Sequence, residues 1–266
     1  MHIGRIDESA VLGSSWLHRV SPVSKLVAFA FLLAAVITSW NALLLASLAI
    51  MLATIAISAR LDGRLIIPLA GYPALFAIIF AFSASTSLLG GATVVLKAVV
   101  AALGAIIVIL TTPYPSVFAP IQRIVPAIVG DALLMTYRSL FLLFEKFGNL
   151  ITAARLRAGL RFGHPLRSAR MTTRALAGLL VYSFDLSQRS YDIMRVRGYE
   201  GRLYVTLAKS SAPHADVALI AGAAIAFATS VFWRVQWQAL NPYSWILALL
   251  SAAGLAVALM MKGRHA

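Results

Sequence analysis

Apolar residues run along the first 112 positions and the carboxy-terminal end in stretches longer than a globular core requires. The run Leu26–Ala59 carries no charge. At 1.5 Å per residue it is far too long for one crossing of a roughly 30 Å hydrocarbon layer, which takes about 20 residues. A polar break around an interfacial aromatic, Ser39-Trp40-Asn41, divides it into a hairpin of two spans. The first starts at Ser21-Pro22, with Ser as N-cap and Pro at the first helical position, and Lys25 then snorkels to the headgroups. The second closes at Arg60-Leu61-Asp62-Gly63-Arg64. A third span covers Leu65–Leu89; its prolines, Pro68 and Pro73, are tolerated where neighbouring helices satisfy the freed carbonyls. Gly90-Gly91 supplies the turn into a fourth, Ala92–Thr112. Two more follow at Val217–Trp233 and Tyr243–Met261. The pattern predicts an all-α, polytopic membrane protein with about six spans.

The stretch Pro113–Ala215 breaks this pattern. Its start, Pro113-Tyr114-Pro115 through Pro120 and Pro126, excludes a continuous helix and predicts short interfacial ones. Asp131–Leu160 follows as a long helix with an apolar stripe through Leu133, Tyr137, Leu140, Phe144, Phe147 and Ile151. Gly163-His164-Pro165 ends it. A second long helix covers Arg167–Arg197, with Leu176, Leu179, Leu180, Phe184 and Ser187 on one face. Asp185 with Arg189 and Asp192 with Arg195 are spaced as local ion pairs, each worth a few tenths of a kcal/mol. The organisation is thus residues 1–112 as an amino-terminal membrane region, 113–215 as a coupling segment of cytoplasmic or interfacial helices, and 216–266 as a carboxy-terminal membrane region.

Composition agrees. Of 266 residues, 61% are apolar and 12% charged, with mean hydropathy +0.87, against about 45–50% and 25% in soluble domains. That excludes a disordered chain, a disulfide scaffold and almost any soluble enzyme. The absence of Cys removes thiolate metal sites and Cys nucleophiles. The 23 Lys and Arg against nine Asp and Glu give +14, and position explains the excess. Arg5, Arg19, Lys25, Arg60, Arg64, Lys262 and Arg264 flank one side of the spans, while the opposite loops hold only Arg234, and Lys97 snorkels near the outer end of span four. Both termini therefore face the cytoplasm by the positive-inside rule. The first apolar segment leads straight into another span, so it is not a cleaved signal peptide. Fourteen of the 23 cations fall in the central segment. A basic chain with so little soluble surface is not expected to bind nucleic acid.

The two central helices end alike. One closes on Ala154-Arg155-Leu156-Arg157-Ala158-Gly159, the other on Met194-Arg195-Val196-Arg197-Gly198-Tyr199. Cations suit helix C-termini through the dipole, and Gly supplies a C-cap; those are ordinary structural reasons for each feature. The repetition adds a functional reason, because Arg presents a planar fork that grips carboxylates bidentately, and two such ends suit an acidic or grooved protein partner. Catalytic motifs are scarce. The five histidines (His2, His18, His164, His214 and His265) form no HExxH pair, there is no GxxxxGK[ST] loop, and no acid/base relay crosses the spans. His164 and His214, beside Pro165 and Pro213, are expected in turns. No cofactor, catalytic residue or metal ligand is assigned, and the chain is not expected to be an enzyme. Two other readings use the same cations. One is an integral-membrane enzyme gripping a phosphorylated or lipid substrate; the other is an anchor binding anionic lipid, which would tolerate Arg→Lys.

The chain resembles the transmembrane T component of energy-coupling factor (ECF) transporters, in its cobalt/nickel-type branch. The resemblance rests on His18-Arg19-Val20-Ser21-Pro22-Val23-Ser24-Lys25-Leu26 before span one, on both Arg motifs, and most strongly on Arg197-Gly198-Tyr199-Glu200-Gly201-Arg202. Members carry two Ala-Arg-Gly-type signatures, here Leu156-Arg157-Ala158 and Val196-Arg197-Gly198. The Arg is retained in both and the Gly in the second, with Gly159 one place late in the first. The resemblance implies a non-catalytic subunit of a bacterial inner-membrane importer. Its coupling helices would dock into two cytoplasmic ABC-type ATPases through Arg155, Arg157, Ala158, Gly159, Arg195, Arg197 and Gly198. Arg157 and Arg197 would be the central contacts. The same helices would hold a membrane-embedded substrate-binding subunit, for cobalt or nickel uptake.

Overall fold

The computed structural model describes residues 10, 13, 15–84, 87–122, 125–158, 165–201, 203, 212–236 and 243–263. At positions 84, 114, 115, 119, 121, 154, 155, 157, 158, 165–168 and 261–263 it describes the backbone alone. The helices are α1 (Pro22–Thr38), α2 (Ala42–Ser58), α3 (Gly63–Ala84), α4 (Leu88–Thr111), α5 (Tyr114–Ile121), α6 (Ala127–Ala158), α7 (Pro165–Val196), α8 (Pro213–Val235) and α9 (Ser244–Gly263). The described residues contain no strand. The chain divides into two compact units. Unit 1 joins Met1–Val117 to Leu207–Ala266, and unit 2 is the insertion Phe118–Thr206.

In unit 1, α4 packs on α1, α2 and α3, α1 also packs on α8, and α2 on α9. The shared core is Leu32, Ala35, Val36, Leu45, Leu48, Leu52, Val100 and Ile107. Large apolar side chains also point outward, including Ile67, Phe76, Phe82 and Leu88, the inverse of a soluble domain and the arrangement that hydrocarbon solvates. Four helical stretches are long and apolar enough to cross a membrane: Gly63–Ser83, Leu88–Thr111, Ala127–Ala153 and Pro213–Val235. Pro22–Thr38, Ala42–Ser58 and Ser244–Met260 are shorter apolar helices. The protein is therefore an all-helical, multi-pass membrane protein.

Several local expectations change. α3 continues through Pro68 and Pro73, but the break before α4 comes at Ser87, not at Gly90-Gly91. The Ser87 hydroxyl accepts from Gly90 N at 3.1 Å and its carbonyl from Gly91 N at 3.0 Å, so a side-chain cap places both glycines in the first helical turn. Ser21 occupies the N-cap position of α1 without a side-chain cap bond. Lys25 does not snorkel: it is 4% exposed and donates to the Thr111 carbonyl at 2.8 Å. Lys97 donates to the Ile37 carbonyl at 3.3 Å, its ammonium 4.7 Å above the Trp40 ring. His214 sits in the first turn of α8, because Pro213 starts that helix rather than making a turn; His164 lies outside the described residues. The long helix expected in the coupling segment begins earlier, at Ala127 after Pro126, and most of it is apolar enough to enter a bilayer.

Candidate functional site at the two arginine-bearing helix ends

Unit 2 is built on α6 and α7, which pack side by side. Lys146 Nζ lies 4.9 Å above the Tyr182 ring, and the Tyr199 hydroxyl reaches Asp131. Moving back along α6 therefore moves forward along α7, and the pair is antiparallel. One face of each lines a groove of about 740 Å3. On α6 it includes Leu140, Phe144 and Phe147, as the apolar stripe predicts. On α7 it includes Leu176, Leu179, Ser183, Ser187 and Ser190, whereas Leu180 and Phe184 face outward. The serines share that groove with the bulkier Leu186, Tyr191 and Met194. Of the two expected ion pairs, Arg189 meets Asp185 at 2.8 Å. Arg195 instead lies 6.0 Å over the Tyr191 ring.

The second arginine end is closed by a specific backbone device. The Tyr199 N–H donates to the Met194 carbonyl at 3.0 Å and the Gly198 N–H to the Arg195 carbonyl at 3.1 Å. Gly198 has φ +79°. This is a Schellman end, with Gly198 in the left-handed position and Arg197 as C-cap. A Cβ on Gly198 would meet nothing within 4 Å, so the glycine is required by its backbone conformation and not by space. The Arg197 N–H is shared between the Ile193 and Met194 carbonyls at 3.1 Å. The Ile193, Met194 and Arg195 carbonyls are thereby satisfied by backbone, and Arg195, Arg197 and Gly198 stand exposed.

The chain beyond that end is tied down. Asp131, 6% exposed near the start of α6, accepts from the Tyr199 hydroxyl at 2.6 Å and from the Leu203 N–H at 2.9 Å. Gln122 Nε2 adds a bond to the Leu203 carbonyl at 3.5 Å. The hydrogen bond to Asp131, helped by burial and by the charge of that carboxylate and of Tyr191, holds the Tyr199 phenol above its ordinary value of 10.0. A buried acid on one long helix thus fixes the arginine-bearing tip of the other. Sequence reasoning quoted Tyr199 but gave neither it nor Asp131 a role. The signal available was an aromatic directly after a C-cap glycine.

The first arginine end is the last turn of α6, which runs helical to Ala158. The side chains of Arg155, Arg157 and Ala158, and all of Gly159, lie outside the described residues. Between the two arginines Leu156 is 83% exposed, and between Arg195 and Arg197 Val196 is 89% exposed. Each end therefore presents an uncovered aliphatic flanked by cations in sequence. The structure does not bring the two ends together. Arg157 lies 26 positions beyond Asp131 along α6, about 39 Å at 1.5 Å per residue, and Asp131 marks the Arg197 end. A site so divided does not converge on one small molecule, and it suits two separate partners or two copies of one. Among the described residues no group of three His, Cys, Asp or Glu could hold a metal ion. A family model described as CbiQ, cobalt transport protein, matches residues 13–207, 195 of the 266 positions. No curated protein matches the chain.

Proposed function

Because the chain belongs to the CbiQ family of cobalt transport proteins and is a membrane transporter component, we propose that it is the energy-coupling transmembrane subunit of an ECF-type importer. In this reading two cytoplasmic ABC-type ATPases dock at the ends of α6 and α7, one at each. A membrane-embedded subunit binds the substrate, cobalt or nickel, and this chain converts ATPase motion into displacement of that subunit without catalysing a reaction itself. The observation that carries the reading is the pair of similar ends at opposite ends of one helical hairpin.

The chemistry of each end supports docking. At the α7 end, Arg195 and Arg197 are exposed and suited to bidentate bonds with carboxylates. Covering Val196 or Leu156 on docking adds about 1.5–3 kcal/mol per side chain. The roles extend to Arg155, Arg157, Ala158 and Gly159 at the α6 end and to Gly198, which ends α7. The Asp131–Tyr199 tether stiffens the α7 end, and a lever transmits displacement only if its tip does not bend. The cation distribution supports both termini lying in the cytoplasm, hydropathy supports about six spans, and the family resemblance supports a bacterial inner-membrane location. The apolar character of Ala127–Ala153 supports α6 lying partly in the bilayer surface.

The test is the pair Arg157→Ala and Arg197→Ala, singly and together, in the assembled transporter. Each variant should insert normally and reduce ATPase association or cobalt uptake at least tenfold, the double variant more. Arg→Lys at the same positions should restore only a small fraction, because an ammonium lacks the planar fork. Normal assembly and uptake in the double Ala variant would remove the docking assignment.

A further inference from the structure

In unit 1, α4 is the last long helix before the insertion and α8 the first helix after it. Those two helices are the stems of the insertion. α1 is fastened to both, at both of its ends. At its start the Ser21 N–H donates to Asp216 Oδ1 of α8 at 2.8 Å, and Lys25 Nζ donates to the Thr111 carbonyl of α4 at 2.8 Å. At its finish Lys97 of α4 donates to the Ile37 carbonyl at 3.3 Å, and Arg234 of α8 to the Thr38 carbonyl at 3.2 Å. The docking reading uses none of these contacts.

The charges at the first end match the helix termini they meet. Asp216 sits in the first turn of α8 and against the start of α1, two partially positive N-termini, while the Lys25 ammonium caps the partially negative C-terminus of α4. α1 also packs against both stems. A cavity of about 330 Å3, lined by Leu32, Leu52, Ile107 and Leu219, adjoins Lys25. Beside this open volume, the Ser21–Asp216 and Lys25–Thr111 bonds tie the start of α1 to α8 and to α4.

We propose that Lys25 and Asp216 are positioning residues that hold the two stems at a fixed separation, so that a displacement arriving from the insertion moves α1, α4 and α8 as one body. The proposal rests on the energy-coupling reading for its consequence, and its geometry is testable without that reading. The cysteine-free sequence allows Ile109→Cys on α4 and His214→Cys on α8 to carry one spin label on each stem in the full chain, reconstituted in nanodiscs. Pulsed dipolar spectroscopy should give one narrow distance in this background. Lys25→Met, and separately Asp216→Asn, which keeps the acceptor for Ser21, should at least double the width of that distribution. Lys25→Arg, with the adjoining cavity to take its larger head, should keep it narrow. In the assembled transporter Lys25→Met should lower cobalt uptake about tenfold while ATPase co-purification and ATP hydrolysis persist, a split that simple misfolding does not give. Parental widths in both variants would overturn the clasp, and broadened distances with unchanged uptake would overturn its part in transmitting the displacement. If Lys25→Met does not insert, Asp216→Asn decides. Failure of the ATPases to co-purify with the parent chain would defeat the energy-coupling reading alone and leave the distance measurement to judge the clasp.

Discussion

Tyr199→Phe removes one hydroxyl and keeps the ring. The lost bond is a 2.6 Å contact to a buried carboxylate, and hydrogen bonds to charged groups contribute about 1.5–3 kcal/mol. Tyr199 is only half-buried, so water replaces part of the loss and about 1–2 kcal/mol remains. At roughly 1.4 kcal/mol per factor of ten, local opening of the α7 end should become about 5- to 30-fold more frequent. The amides that report it are those of Arg197, Gly198 and Tyr199, each held by a backbone carbonyl of the last turn. Hydrogen exchange on the nanodisc-embedded protein should show faster exchange there, with no change in the middle of α8. Asp131→Ala should exceed this effect, since it also strips the acceptor from Leu203. Unchanged protection at the three amides in both variants would refute the claim that the α7 tip is braced from α6.

Other outcomes follow from the same geometry. The raised Tyr199 phenol should be among the last tyrosines to ionise in an ultraviolet titration, and Tyr199→Phe should remove that late component. Since the folded phenol is shifted up, its support of the tip is intact below the ordinary value of 10.0 and disappears as pH rises through the shifted one. Gly198→Ala forces a Cβ into the left-handed region at about 1–2 kcal/mol and should fray the α7 end, seen as loss of protection at Gly198 and Tyr199 with global melting unchanged. Gly104→Ala tests the α1–α4 contact. Its Cβ would lie 2.5 Å from Leu32 Cδ2 and 3.1 Å from Phe29 Cε2, but both side chains line the cavity beside Lys25 and have room to swing into it. With a helix-propensity gain of about 1 kcal/mol offsetting the shift, the melting temperature should move by no more than a few degrees; a large drop would show that the cavity does not relax.

The long elements were legible because hydropathy and helix period are local properties. The polar break at 39–41 and the two long helices from near 131 and 167 emerge close to their expected places. The resemblance to ECF T components agrees with the family match over residues 13–207. What stayed hidden depends on partners remote in sequence. Lys25 looks like any interfacial lysine until Thr111, 86 positions away, supplies its acceptor. Ser21 reads as a side-chain N-cap, yet its backbone N–H is claimed by Asp216, 195 positions on. Asp131 and Tyr199 sit 68 positions apart and carry no motif that joins them. The face of α7 was legible only in part: Leu176, Leu179 and Ser187 line the groove as expected, but so do Ser183 and Ser190 in place of Leu180 and Phe184. The arginine ends themselves were legible as motifs, while their separation of about 39 Å required the antiparallel register.

The central claim is that each end of the α6–α7 hairpin meets its own ATPase. A photo-crosslinking side chain at Leu156 or Val196, exposed positions flanked by the arginines, tests it in the assembled transporter. Both positions should crosslink to an ATP-hydrolysing subunit, with two such subunits per chain, and Arg157→Ala or Arg197→Ala should abolish the crosslink at its own end alone. Crosslinks to lipid only, or to an ATPase at neither end, would contradict the account.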